Sequence, residues 1–187
     1  MGLFDSLKKQ AEGAVKNAMQ GMGNKTEEIV FPDVPNTFEG FVSLPQAAMA
    51  TPFDTAAMTV IALCVYPYSP DISIQMLNFL RGPRPLNGQE ISFIRDRFRA
   101  KDYVPRSYFN GATPQNDYTP QQPYTIRVIA DHNSFLNQGF AKLFIPSGGA
   151  DSPRPIQLRE AKDGKWYLWE QFLLTDIRQP ESANPWA

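Results

Sequence analysis

From Leu3 onward the apolar positions fall at Phe4, Leu7, Ala11, Ala14, Val15, Ala18 and Met22, steps of three and four that match a helix. Lys8, Lys9 and Lys16 lie on its other faces, so residues 3–22 are predicted to form an amphipathic helix. Its apolar stripe is mostly alanine and Gly13 interrupts it, which makes the helix marginal in isolation. Gly21, Gly23 and Asn24 end it. Thr26 to Phe31 then reads as a short strand closed by Pro32 and Pro35, and Asn36 to Val42 as a connection.

Helical signals dominate the next stretch. Ser43 is placed to cap a short helix through Ala50. Thr51-Pro52-Phe53-Asp54 combines a capping hydroxyl, a proline at the first helical position and an acid at the third. Thr55 to Tyr66 is apolar nearly all round, the mark of a buried central helix. Ser69-Pro70-Asp71 starts a helix through Leu80 that Gly82 stops. Asn87 to Glu90 caps another, running to about Ala100 with Ile91, Ile94 and Phe98 on one side.

Asp102 to Pro123 loses all periodicity. Four prolines forbid regular structure there, yet Tyr103, Tyr108, Phe109 and Tyr118 argue for an ordered loop wrapped over the domain. Tyr124 to Asp131 alternates, with Tyr124, Ile126, Val128 and Ala130 on one face. In Gln138 to Pro146, Ala141, Leu143 and Ile145 oppose Phe140, Lys142 and Phe144; two partly apolar faces predict a central strand. Pro155–Ala161 and Lys165–Leu173 form a hairpin about Asp163-Gly164. A two-residue turn sets Leu158 opposite Trp169, a bulged one opposite Leu168, and the sequence leaves both open. Trp186, near the end, predicts that the tail docks.

These elements predict an α+β fold: a helical N-terminal half packed on a C-terminal three- to four-stranded antiparallel sheet, with an N-terminal amphipathic helix. The division is residues 1–24 as helix and linker, and 25–187 as one domain. A chain of 187 residues supports this, since about 70% of its unfolded surface can be buried at that size.

Composition narrows the chemistry. Eighteen basic residues nearly balance nineteen acidic ones, so nucleic acid is not an expected partner of the surface as a whole. Cys64, the one cysteine, sits in an apolar run and reads as a core thiol; it excludes an intrachain disulfide. No run of 18 apolar residues and no secretory apolar segment occurs, from which a cytoplasmic setting is expected. His132, the one histidine, lies in a turn-like Asp131-His132-Asn133, and no Gly-x-Ser-x-Gly elbow accompanies it. One His with one Cys cannot make a zinc site, and the acids are scattered. Neither a P-loop nor a Gly-x-Gly-x-x-Gly turn is present, so no metal and no cofactor is expected.

Two stretches carry candidate sites. Ser147, Gly148, Gly149, Asp151 and Ser152 could turn backbone N–H groups inward as an anion nest, with Arg154 beside it. The plainer alternative is a structural turn in which Asp151 caps the backbone and Arg154 pairs with a carboxylate. The basic patch Arg95, Arg97, Arg99, Lys101 and Arg106 interleaves with Tyr103, Tyr108 and Phe109. It reads as a solvated helix face or, since Arg and Tyr are common interface anchors, as a protein-facing surface.

GGADSPRPIQLR (148–159), KWYLWE (165–170), MLNFLRGPRPL (76–86), PRSYFNGATPQNDYTP (105–120) and the ending NPWA resemble a bacterial protein family of uncharacterised function. The resemblance implies one continuous domain, a bacterial source and a cytoplasmic setting, and brings no activity with it. The resulting expectation is a non-catalytic interaction or structural protein that self-associates or meets a protein partner. It would use Leu3, Phe4 and Leu7 of the first helix together with Arg99, Tyr103, Arg106, Tyr108, Phe109, Tyr118 and Trp186. For residues 3–22 the plainest reading is a helix packed on its own domain or on a second copy; docking on a partner protein and peripheral contact with a membrane surface stay open beside it. The alternative is an enzyme or small-ligand binder with a pocket near Ser147–Arg154.

Overall fold

The computed structural model describes residues 24–186; the predicted helix over 3–22, with Leu3, Phe4 and Leu7, lies outside them. The chain enters as strand β1 (Lys25–Phe31) and continues through helices α1 (Phe38–Val42), α2 (Pro52–Val65), α3 (Pro70–Arg81) and α4 (Gly88–Phe98). Strands β2 (Tyr124–Ala130), β3 (Phe140–Ile145), β4 (Arg154–Glu160) and β5 (Trp166–Gln171) follow. The sheet order is β1-β2-β3-β4-β5, every pair antiparallel.

The fold is α+β as expected, but the sheet has five strands rather than three or four. The fifth is β1, which lies before the helices and pairs with β2 from Lys25↔Ala130 to Phe31↔Tyr124. Only Ile29 and Phe31 of β1 are buried, which is why its own pattern reads so weakly. β3 takes the central place its two apolar faces called for. Across the β4–β5 hairpin Leu158 faces Leu168, the bulged alternative. Gly164, at φ +79°, supplies the left-handed residue that such a turn needs.

The central helix α2 is buried at every position except Asp54. Thr51 Oγ1 accepts from Asp54 N at 3.1 Å, and Pro52 occupies the first turn, where its missing N–H costs nothing. This helix lies on the sheet face formed by Ile126, Val128, Leu143, Ile156 and Leu158. Buried hydroxyls tie it to its neighbours: Thr55 donates to Trp166 O of β5 at 2.6 Å, and Ser73 of α3 donates to Ala62 O at 2.7 Å.

The short helix before α2 falls earlier than the Ser43–Ala50 pattern predicts. Thr37 caps it by accepting from Gly40 N, and Ser43 closes it. Pro45–Ala48 is a separate 3-10 turn, ended by Met49 in the left-handed region at φ 51°. The tail also departs from expectation. Trp186 is 92% exposed, and the segment is held instead by Ser182 Oγ donating to Asp117 Oδ1 at 2.7 Å. Among the described residues no helix is long and apolar enough to cross a membrane.

Candidate functional site

The Gly-rich loop after β3 packs against the interior. A Cβ on Gly148 would overlap Ala112 O, and one on Gly149 would overlap the Tyr118 hydroxyl, so both positions require glycine. The backbone donors of this loop are engaged. Gly148 N donates to Ser107 O at 2.9 Å, Gly149 N to Ser147 Oγ at 3.1 Å and Ala150 N to Ser147 O at 3.4 Å. Ser147 Oγ in turn donates to Ser107 Oγ at 2.7 Å. These three N–H groups are therefore not presented to an anion.

Arg154 is similarly occupied, and by carbonyls rather than a carboxylate. Its Nε reaches Thr175 O at 3.0 Å, Nη1 Ser152 O at 3.1 Å and Nη2 Asp176 O at 2.8 Å. Asp151 pairs with Arg178 at 2.9 Å on the surface.

The aromatic residues of the 102–123 loop face inward too, which removes them from the outward surface expected of them. Tyr103, Tyr108, Phe109 and Tyr118 are all buried. Tyr108 OH donates to Leu173 O at 2.5 Å, Tyr118 OH to Arg178 O at 2.6 Å and Tyr103 OH to Ile177 O at 3.4 Å. Tyr103 and Tyr118 stack with centroids 5.5 Å apart. Three hydroxyls thus join the loop to the chain after β5, satisfying carbonyls that would otherwise be buried unpaired. Burial pushes all three phenols above their ordinary range, Tyr118 to about 12. Of the basic patch, Arg99 stays exposed beside Asp96 at 3.5 Å, and Arg106 is half-buried.

A buried group without a partner, Arg84 Nε, lies elsewhere, just after α3. The end of α3 presents Arg81, 6% exposed, as a hub. Its Nε donates to Arg84 O at 2.9 Å and its Nη2 to Glu90 Oε1 at 2.8 Å. The other oxygen of Glu90 accepts from Asn87 N at 2.9 Å, completing the α4 capping box. One buried guanidinium therefore joins the exit of α3, the Pro83-Arg84-Pro85 turn and the start of α4. Burial lowers its pKa, opposed chiefly by Glu90.

Two depressions flank Arg81. The first, about 520 Å³, is an apolar groove lined by Leu77, Leu86, Phe93, Ile94, Leu168 and Phe172, with Glu90 and Glu170 also at its wall. Phe93 and Phe172 are 47% and 43% exposed. The second, about 430 Å³, lies between the Pro83–Arg84 turn and the β4–β5 hairpin. There Arg84 lies over the Trp169 ring at 4.0 Å, and Arg159 lies over the same ring at 4.7 Å and over Phe140 at 5.3 Å. Sequence reasoning passed over Arg81, Arg84, Arg159 and Trp169. The available signal was the outward Phe140-x-Lys142-x-Phe144 alternation together with the Arg-Gly-Pro-Arg turn.

Groups that could perform bond chemistry are placed apart. Burial raises the Cys64 thiol to about 12, so it stays protonated at neutral pH. His132 is exposed and meets Asn133 Nδ2 at 2.9 Å. Among the described residues no three His, Cys, Asp or Glu side chains gather as a metal-binding group.

Residues 33–181 match a family described as a domain of unknown function (DUF6935). β1 lies just ahead of the matched residues. No curated protein and no solved structure matches the chain.

Proposed function

The chain belongs to the DUF6935 family, and from that premise we propose that its domain is a non-catalytic interaction module of the bacterial cytoplasm that self-associates. The groove between α3, α4 and β5 takes residues 3–22 of a second copy. The observation that carries this reading is the apolar groove itself, with Phe93 and Phe172 both more than two-fifths exposed at its mouth. Leu3, Phe4 and Leu7 supply side chains of the right kind for a helix-in-groove contact. Lys8 or Lys9 would meet Glu170 at the wall, since Glu90 is already paired with Arg81. Tyr103, Tyr108, Phe109 and Tyr118 have no part in this surface, because they are internal.

Light scattering after size-exclusion chromatography tests the reading on the full chain. Wild type is expected to run as a dimer, and Phe93→Glu and Leu7→Asp each as monomers with unchanged far-ultraviolet circular dichroism. A monomeric wild type at about 100 μM, well above the micromolar constants of weak complexes, sinks the proposal. So does a Phe93→Glu dimer. Co-sedimentation of the monomer with anionic vesicles would assign residues 3–22 to a membrane surface instead.

A further inference from the structure

The second depression carries an inference independent of self-association. The guanidinium carbons of Arg84 and Arg159 lie over the Trp169 ring, 4.0 and 4.7 Å from its centroid, and Phe140 stands near-perpendicular to that ring at 5.7 Å. A guanidinium held over an aromatic ring by cation–π attraction keeps its N–H donors for another partner. Among the described residues the Arg159 guanidinium makes no hydrogen bond and has no carboxylate within 4.0 Å. Arg84 gives Nη2 to Trp169 O, while its Nε is buried without a partner. A buried donor left unpaired is costly, and a native site that holds one calls for an explanation.

The charge of the walls sets the ligand class. Arg81 is neutralised by Glu90. The remaining charged groups are Arg84, Arg159 and Lys162, against Glu160 alone, leaving two uncompensated positive charges. Arginine forks match the oxygens of phosphate, and a phosphate monoester carries close to two negative charges at neutral pH. Pro83, Ala161 and Leu168 line the rest of the 430 Å³ with apolar surface, room for the body of a small ester.

We propose that the depression between the Pro83–Arg84 turn and the β4–β5 hairpin binds the phosphate of a small phosphorylated molecule, held by Arg159, Arg84 and Lys162 beside Trp169. Glu160 limits the charge of what enters. No covalent step is involved; the site recognises and holds.

Isothermal titration calorimetry of the full chain with inorganic phosphate, with AMP and with citrate tests this. Phosphate and AMP are expected to bind saturably, with a dissociation constant at or below about 1 mM. AMP binding at least threefold tighter than phosphate identifies an ester whose body fills the cavity. Equal affinities identify a site for the phosphate group alone; either supports the proposal. Arg159→Gln is expected to weaken both at least tenfold, and Arg159→Lys to weaken them less, since it keeps the charge and loses the fork. Lys162→Gln, on an exposed turn, is a second variant and should weaken binding about threefold. Unchanged affinity in Arg159→Gln, citrate binding as tightly as AMP, or no saturable heat from phosphate and AMP overturns the proposal.

Discussion

Two regions of this domain have similar raw materials and opposite fates. The seam formed by the 102–118 loop, the Ser147–Arg154 loop and the chain after β5 contains tyrosines, glycines and arginines, as does the edge formed by α3, α4 and the β4–β5 hairpin. In the seam, Tyr103, Tyr108 and Tyr118 each donate to a carbonyl, and Arg154 satisfies three residues' carbonyls at once. At the edge, Phe93 and Phe172 stay half-open to solvent, and Arg159 points no donor at the protein. Polar groups that are fully paired inside a fold give it rigidity and uniqueness. Groups left with capacity on the surface are the ones available to something else. Substitutions in the seam should therefore cost stability, and substitutions at the edge should cost binding.

The sharpest test of that contrast is Gly148→Ala. The new methyl group meets Ala112 O, a main-chain atom that cannot rotate aside. A loss of about 3 kcal/mol or more in urea unfolding is expected, at the severe end of overpacking. A cost under about 1 kcal/mol would show that the seam yields easily, and the contrast would fail. Next comes Tyr108→Phe, which leaves Leu173 O buried without its donor and should cost about 1–2 kcal/mol.

The seam also has a pH signature. Tyr103, Tyr108 and Tyr118 have folded pKa values raised above the ordinary phenol value of about 10, and Cys64 is raised to about 12. For acids shifted upward, the native state holds its protons longer than the unfolded chain does. Their contribution is complete below the unfolded values and is lost as pH rises through the folded ones. Stability should fall from about pH 9, where the unfolded Cys64 thiol begins to ionise, through about pH 12, and from about pH 10 upward the fall should be shallower in Tyr118→Phe. An unchanged slope in that variant would remove Tyr118 from the account. At the edge, Phe93→Glu should change stability by under about 0.5 kcal/mol while abolishing dimers. Arg159→Gln should also be mild in unfolding, at most about 1 kcal/mol, because its exposed side chain makes no hydrogen bond and loses only its contacts with the Trp169 and Phe140 rings.

Much of the fold can be read from local pattern. Thr51-Pro52 and Asn87-x-x-Glu90 announce α2 and α4, since caps act within a single turn. The strand alternations group Ile126 with Val128 and Leu143 with Ile145, and each group lies on the covered face. The candidate sites were much less legible. Tyr-rich and Gly-rich loops look like recognition surfaces in a sequence, because nothing local says whether a hydroxyl will meet water or a carbonyl. The partners of Tyr108 and Tyr118 are 65 and 60 residues away.

By itself, the sequence determined the positions of α2, α3, α4 and the five strands and the apolar faces within them, though not the short helix α1, whose residues read as a connection. Those properties follow from capping, turn chemistry and periodicity over a few residues. Tertiary structure alone decided that β1 closes the sheet against β2, that the tyrosines turn inward, and that Arg84 comes to lie over Trp169. Each of these joins residues far apart in the chain. Such a contact forms only when the whole core is packed, and no short window of sequence contains both partners.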